Sequence, residues 1–312
     1  MDPASLAVRS QGLTKSYGKR VAAAGVDLEV RRGEVFGFLG PNGAGKSTTI
    51  NMLCTLLEPT AGEAWVAGQD CIRAPAAVRE RIGLVFQERT LDGELTAREN
   101  LRFHAILYGV PAAEARDRIA ALLDAMGLAD RADDLVSTFS SGMARRLELA
   151  RALLHAPEVL FLDEPSLGLD PASRARFWSD LSRLRAARGF TVFFTTHYMD
   201  EAEAADRLAI MHEGRLVAVG TPTTLKSQVG RDRVHLSTSQ PDEAIVQLQR
   251  AGHKARRQGG DVVVDADAGT EALPLLMRTV TVPIQEARVQ RPTLDDVFLH
   301  FTGQSLEPGR AR

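Results

Sequence analysis

Short apolar runs alternate with amphipathic segments along the first 229 residues, and Gly or Pro stands at most of the joints between them. Two of the runs, residues 159–162 and residues 190–194, have the length of buried strands. Strands that alternate with helices typically form a layered sheet. The pattern therefore predicts an α/β domain over residues 5–229.

The pattern changes near Gly230, where a smaller unit begins. Strands are predicted at residues 234–236, 253–257, 261–264 and 284–289, and helices at residues 242–250 and 271–278. This β-α-β-β-α-β order favours a split βαβ arrangement. A last helix at residues 294–301 begins after Thr293, which can cap it. We expect a small α+β domain over residues 230–303, with a ferredoxin-like fold as one form of it, and a disordered tail at residues 304–312.

Composition and charge narrow the class of protein. The 312 residues include 38 Lys+Arg and 40 Asp+Glu, which gives a formal net charge of −2 and argues against a polybasic binder. The 44% hydrophobic and 25% charged content is typical of a globular chain. No apolar run has the length of a membrane span, and two cysteines provide no disulfide framework. We expect a reduced, cytoplasmic setting in which any membrane role needs a partner.

A glycine-rich segment lies between a strand-like run at residues 34–39 and a predicted helix at residues 46–57. It matches the pattern G-x-x-x-x-G-K-[ST] through Gly40, Pro41, Asn42, Gly43, Ala44, Gly45, Lys46, Ser47 and Thr48. The glycines let backbone N–H groups encircle phosphate oxygens, and the helix dipole adds positive potential. In such a loop Lys46 reaches the β and γ phosphates, and Ser47 gives its hydroxyl oxygen to Mg²⁺.

A second motif places two carboxylates, Asp163 and Glu164, directly after the apolar run at residues 159–162. Open α/β sheets bind ligands at the carboxyl ends of their strands. Asp163 is therefore expected to hold Mg²⁺, as the corresponding aspartate of P-loop enzymes does. Glu164 points differently and is expected to orient or deprotonate the attacking water.

With these motifs the chain resembles an ATP-binding cassette (ABC) ATPase over roughly residues 5–229. The resemblance implies a RecA-like core, an antiparallel β subdomain and an α-helical subdomain, with ATP and Mg²⁺ as cofactors. It implies roles for four more residues: Tyr17 in stacking on adenine, Gln87 in sensing Mg²⁺ and the γ-phosphate, Asp170 in communication between two sites, and His197 in contacting the γ-phosphate.

The family's signature pattern L-S-G-G-Q corresponds to residues 139–143, which read Phe-Ser-Ser-Gly-Met. Ser140 and Gly142 are retained, and in the family they meet the γ-phosphate bound by the opposite subunit. Ser141 adds a hydroxyl where the family usually keeps bare backbone, a departure that could slow closure or hydrolysis. Met143 is similar to the residue found in a branch that exports drugs and polysaccharides.

The C-terminal segment at residues 291–303 resembles the ending of ATPases of the daunorubicin-resistance and nodulation-factor exporter branch. That resemblance implies the ATP-hydrolysing subunit of an ABC exporter that closes as a head-to-tail homodimer. It also implies a separate membrane permease, a peripheral place on the cytoplasmic face of the plasma membrane, and a drug, lipid or glycoconjugate as cargo.

The alternative is a soluble ABC ATPase of translation or DNA repair. Such proteins usually carry two fused cassettes or a long coiled-coil insertion, and neither is found between residues 87 and 139 or elsewhere. The absence of a basic stripe predicts no nucleic-acid partner. An importer ATPase is a third interpretation, disfavoured by the C-terminal segment, and the cargo stays open because the permease forms most of its pathway.

Overall fold

A computed structural model describes residues 5–303, and the predicted tail at residues 304–312 lies outside them. The chain divides into two compact units, Met1–Thr221 and Pro222–Arg312. Residues 222–229 belong to the second unit, whereas the sequence pattern groups them with the first. The second unit therefore begins with a helix.

The elements of the first unit follow the predicted alternation. Its strands are β1 (Leu6–Tyr17), β2 (Arg20–Arg31), β3 (Val35–Leu39), β4 (Ala61–Val66), β5 (Gln69–Asp70), β6 (Ile82–Val85), β7 (Val159–Leu162), β8 (Thr191–Thr196), β9 (Arg207–His212) and β10 (Arg215–Gly220). Its helices are α1 (Lys46–Leu53), α2 (Pro75–Arg79), α3 (Ala97–Leu107), α4 (Ala112–Ala125), α5 (Ser141–Ala152), α6 (Pro171–Arg188) and α7 (Met199–Glu203), with short 3-10 helices at Ala129–Arg131 and Val136–Thr138.

The strands of the first unit form two sheets. One is antiparallel with the order β2-β1-β4-β5, and the other has the order β10-β9-β3-β8-β7-β6. In the second sheet all neighbours are parallel except the edge strand β10, which runs antiparallel to β9. Every residue of β7 and β8 is buried, as expected for a parallel sheet covered on both faces.

The register of the parallel strands fixes where the motifs meet. Leu39 at the end of β3 pairs with Thr196 at the end of β8, and Leu162 at the end of β7 pairs with Phe194. The segments that follow these three strands therefore emerge together at one edge of the sheet. Phe193 packs at the centre, with its ring centroid 5.4 to 5.6 Å from three other phenylalanine rings.

The helix after the glycine-rich loop is shorter than predicted. It ends at Leu53 and not at residue 57. Thr55 adopts a left-handed φ of 61°, and the amides of Leu56 and Leu57 both donate to the carbonyl of Asn51. The apolar residues that suggested a longer helix instead belong to the turn that leads to β4.

The second unit has the predicted order of elements after its first helix. It contains α8 (Pro222–Val229), β11 (Asp232–Thr238), α9 (Pro241–Arg250), β12 (Ala255–Gln258), β13 (Asp261–Ala266), α10 (Gly269–Thr279), β14 (Ile284–Gln290) and α11 (Leu294–Thr302). The sheet order is β12-β13-β11-β14, and each neighbouring pair is antiparallel. Thr293 caps α11 in a capping box with Asp296, which is why that helix begins where the sequence predicts.

Candidate nucleotide site

The glycine-rich loop turns from β3 into α1 in a space that excludes side chains. A Cβ on Gly40 would lie 2.4 Å from the carbonyl oxygen of Met211, and one on Gly45 would lie 2.2 Å from that of Ala22. Gly45 also has a φ of 107°, which L-residues rarely adopt. Both glycines are therefore required by close backbone approach, and the loop leads directly into the first turn of α1.

Lys46 is held beneath this loop. Its ammonium group donates to the carbonyl oxygens of Gly40 at 2.8 Å and Pro41 at 3.2 Å, and lies 3.3 Å from Glu164 Oε1. Lys46 is only 4% exposed, and burial lowers its pKa while the Glu164 carboxylate opposes that shift. The lysine is thus a buried cation fixed at the carboxyl end of the sheet.

A hydroxyl and a carboxylate, those of Ser47 and Asp163, lie close to the lysine. Ser47 Oγ donates to Asp163 Oδ1 at 3.2 Å, and Thr195 Oγ1 donates to the same carboxylate oxygen at 2.5 Å. The Thr195 hydroxyl also accepts from the Glu164 amide at 2.9 Å. Thr195 therefore fixes both carboxylate residues that follow β7. A hydroxyl and a carboxylate side by side form a donor set that suits Mg²⁺.

Glu164 lies between two nitrogen groups. Its Oε1 faces Lys46, and its Oε2 lies 3.5 Å from His197 Nδ1. The backbone of Glu164 has a φ of 44°, a left-handed conformation that costs a non-glycine residue about 1–2 kcal/mol. Strained residues of this kind often occur at functional sites. The side chain is 7% exposed, so a water bound here would be largely shielded from bulk solvent.

Lys46, Ser47 and Glu164 border an open cleft of about 260 Å³, whereas Asp163, Thr195 and His197 are not among its lining residues. Its lining residues are Arg20, Ala22, Asn42, Gly43, Gly45, Lys46, Ser47, Thr48, Gln87 and Glu164. The structure thus brings the predicted loop, the predicted base and Gln87 to one cavity. Arg20 is a lining residue that sequence reasoning missed.

Tyr17 lies at the end of β1 and pairs with Arg20 across the β1–β2 hairpin. Its ring is 52% exposed, and the Lys15 ammonium lies 5.5 Å from the ring centroid. Because Arg20 lines the cleft, the hairpin places an exposed aromatic face beside the residues that border it.

The signature residues lie apart from the residues that line the cleft in the described part of the chain. Ser140 caps α5 by accepting from the Met143 amide at 3.3 Å. A Cβ on Gly142 would lie 2.6 Å from Ser173 Oγ, so α5 starts against the first turn of α6. Asp170 caps α6 by accepting from the Ser173 amide at 2.9 Å, and its hydrogen bonds with Ser173 lower the pKa of Asp170. Ser140 is exposed, which leaves its hydroxyl open to a partner.

Comparisons with known proteins agree with this geometry. The "ABC transporter" family model matches residues 23–167, and the "ATP-binding protein DrrA1-3-like, C-terminal domain" model matches residues 220–302. The daunorubicin resistance ATP-binding protein DrrA3 of Streptomyces coeruleorubidus is 41% identical and covers 96% of this chain and 97% of its own length. The Nod factor export ATP-binding protein I of Burkholderia orbicola is 38% identical, with 95% of this chain and 97% of that protein covered.

A solved structure of an ATP-binding cassette is also similar to this chain. The ATP-binding cassette MJ0796, in a dimeric post-hydrolysis state bound to ADP and Pi, aligns with a TM-score of 0.63 at 28% identity. The alignment covers 69% of this chain and 98% of that one. It therefore extends over nearly all of the known cassette.

This chain belongs to the ATP-binding subunits of the ABC transporter family, and its activity is ATP hydrolysis. The predicted fold class is confirmed, as is the transporter interpretation over a soluble ATPase of translation or DNA repair. Subunits of this family act with membrane permease partners. Within residues 5–303, no helix combines the length and apolar character needed to cross a bilayer.

Proposed function

We propose that this chain hydrolyses Mg-ATP in a head-to-tail homodimer and thereby drives a separate membrane permease that exports a drug, lipid or glycoconjugate. Its place would be the cytoplasmic face of the plasma membrane, peripheral through that permease. Relatives named for resistance to daunorubicin and linearmycin and for Nod factor export support export of such compounds. The observation that carries the chemistry is the meeting of Lys46, Asp163 and Glu164 beyond the carboxyl ends of β3 and β7, the two parallel strands that flank β8.

The phosphate groups of ATP would be bound by the glycine-rich loop. Residues of the loop and of the start of α1 line the cleft, and Lys46 supplies a buried positive charge for the β and γ oxygens. Ser47, Asp163 and Gln87 would hold Mg²⁺, whose charge neutralises the negative charge that develops on the phosphates. Tyr17 would stack on the adenine ring beside Arg20.

Glu164 acts as the general base in this proposal. Its carboxylate accepts a proton from the attacking water, and the residue lines the cleft next to Lys46. His197 Nδ1, which is buried and makes no hydrogen bond within the described residues, lies 3.5 Å from Glu164 Oε2, and His197 would contact the γ-phosphate beside this base. Lys46 stabilises the charge on the transferred group.

The second half of each site would come from another copy of the chain. Ser140 and Gly142 do not line the cleft of their own copy, while the exposed hydroxyl of Ser140 stands at the N-terminus of α5. Helix N-termini bind anions, so this end of α5 suits the γ-phosphate held by the partner. Asp170, which caps the neighbouring helix α6, would then lie at the dimer interface and connect the two sites.

Mixing two defective variants tests the composite site. Lys46→Ala damages the phosphate loop and Ser140→Arg damages the signature, so each homodimer carries two damaged sites. A mixed dimer keeps one intact site and should regain part of the ATPase activity if one site suffices. Measured rates across mixing ratios, with cross-linking to detect mixed dimers, report the result. Full activity of Ser140→Arg alone would refute the assignment, because a bulky cation at a γ-phosphate contact cannot be silent.

The transport part of the proposal needs a second experiment. The full chain is co-expressed with a permease of about six spans and purified through a tag on the permease. ATP-dependent movement of a candidate drug or lipid into inverted vesicles should require both subunits and fail with Glu164→Gln. Movement that is unaffected by this substitution would contradict the coupling.

A further inference from the structure

Helix α5 carries a buried ion pair to which the chemistry above assigns no role. Arg145 Nη1 lies 2.8 Å from Glu148 Oε2, and the two side chains are 8% and 1% exposed. Burying two charges costs several kcal/mol per ion, so a buried pair adds little net stability compared with apolar residues of the same size. Its contacts therefore deserve a functional explanation.

Arg145 bonds to the backbone of two loops at the nucleotide site. Its Nε donates to the carbonyl oxygen of Pro165, and its Nη2 lies 3.4 Å from the carbonyl oxygens of both Asp163 and Glu164. Its Nη1 donates to the carbonyl oxygen of Phe86 at 2.5 Å. One guanidinium thus holds the turn that contains both carboxylate residues and also holds the residue before Gln87.

Glu148 continues the connection on the other side. Its Oε2 pairs with Arg145, while its Oε1 accepts from the Thr90 amide at 2.9 Å and from the Thr90 hydroxyl at 3.4 Å. The loop that carries Gln87 is consequently held at Phe86 by the arginine and at Thr90 by the glutamate. Neither contact touches the cleft itself.

We propose that Arg145 and Glu148 are positioning residues that hold the strained Glu164 backbone and the Gln87 loop in register with the start of α5. The proposal rests on the function proposed above, in which Glu164 is the base and Ser140, five residues before Arg145 at the N-cap of α5, binds the partner's nucleotide. The ion pair then fixes the distance between the end of α5 that meets one nucleotide and the base that acts on the other. Lysine cannot replace this arginine, because an ammonium lacks the planar fork that spans four carbonyl oxygens.

The experiment measures kcat and KM for Mg-ATP on the full chain. Arg145→Lys and Glu148→Gln should each lower kcat at least tenfold and change KM less than threefold, since the phosphate loop is untouched. The double variant should be no worse than the more damaged single variant, because both act through one unit. If Arg145→Lys does not fold, Glu148→Gln carries the same test, since its amide oxygen can still accept from Thr90.

Arg185→Lys is the matched control. Arg185 also donates to a backbone carbonyl through two nitrogens, Nε at 2.9 Å and Nη2 at 2.6 Å from the Gly33 oxygen. Gly33 lies at the opposite end of β3 from the phosphate loop. Its kcat should stay within twofold of the parent chain. A kcat within twofold for Arg145→Lys, or equal losses of kcat and thermal midpoint in Arg145→Lys and Arg185→Lys, would overturn the proposal.

Glu164→Gln separates this inference from the function on which it rests. If the parent chain hydrolyses ATP and Glu164→Gln abolishes turnover while Arg145→Lys and Glu148→Gln are fully active, only the positioning role is wrong. If Glu164→Gln itself retains full turnover, the proposed base is wrong, whatever the ion-pair variants do.

Discussion

Replacing Glu164 with glutamine tests the centre of the site, because this carboxylate contacts two nitrogen groups, those of Lys46 and His197. It lies 3.3 Å from the Lys46 ammonium and 3.5 Å from His197 Nδ1. When ATP binds, Lys46 must exchange part of its interaction with Glu164 for phosphate oxygens. Glu164→Gln keeps the shape and an acceptor oxygen for Lys46, but it removes the negative charge that repels the phosphates and the base that activates water.

The magnitude follows from this exchange. A hydrogen bond to a charged group contributes about 1.5–3 kcal/mol, and the glutamine oxygen keeps part of it. We therefore expect ATP to bind more tightly by about 1–2 kcal/mol, which is a decrease in Kd of about five- to thirtyfold. Loss of a general base lowers turnover by about 10²- to 10⁴-fold. Tighter binding together with slower turnover should trap a closed, ATP-bound dimer.

Three measurements on the purified full chain check this expectation. Isothermal titration gives Kd for ATP, a coupled assay gives kcat, and size-exclusion chromatography in Mg-ATP gives the oligomeric state. Glu158→Gln is the control, since Glu158 precedes β7 at its other end and pairs with Arg32 at 2.6 Å and Arg81 at 3.3 Å. This control should change Kd and kcat less than twofold. Turnover of Glu164→Gln within threefold of the parent chain, or weaker ATP binding, would refute the reasoning.

Three further predictions concern the phosphate loop, the metal site and a buried histidine of α3. Gly45→Ala places a Cβ 2.2 Å from the Ala22 carbonyl oxygen and should abolish ATP binding measured by titration. Gly43→Ala has a φ of +80°, and its Cβ lies 3.8 Å from the nearest neighbouring atom, so it should weaken ATP binding only about fivefold. Equal effects of the two substitutions would contradict the steric argument. Asp163→Asn should remove at least tenfold of the gain in ATP affinity that Mg²⁺ gives, and an unchanged gain would exclude Asp163 as a ligand. Burial lowers the pKa of His104 to about 4, so the stability of the folded chain should fall as pH drops from about 6.5 to 4. Over that pH range the Tm of His104→Phe should fall by about 2–4 °C less than the Tm of the parent chain. Identical dependence of Tm on pH in the two proteins would contradict this expectation.

The order of elements could be predicted from the sequence where the hydrophobic period agrees with the capping residues, glycines and prolines at the ends of the elements. Thr293 in a capping box starts α11 where the pattern places it. The helix after the phosphate loop could not be bounded in this way, because the left-handed Thr55 ends it within an apolar run. The sequence pattern also could not predict that α8 belongs to the second unit, because packing and not local propensity decides which unit a short helix joins.

Sheet topology explains why the cis part of the site was accessible to sequence reasoning. Residues 40–48 and the pair Asp163 and Glu164 each follow an apolar run directly, and parallel strands present such segments at one edge. That these segments meet, through the contacts of Ser47 with Asp163 and of Lys46 with Glu164, could be predicted without knowledge of loop conformation. The partner's contribution of Ser140 came only through the family resemblance, and it stays a proposal.

Two of the residues that sequence reasoning missed support the site without lining the cleft. A nucleotide fixes the spacing of the groups that touch it, so Lys46 and Ser47 stand in a recognisable pattern. Thr195 and Arg145 instead bind the protein, through the Asp163 carboxylate and the carbonyl oxygens of Asp163 and Glu164. Any segment that folds close enough can supply such a donor, so no spacing marks it. For Thr195, the remaining signal is a buried polar side chain within the apolar run of β8, and it becomes informative only when the fold shows which atoms it reaches.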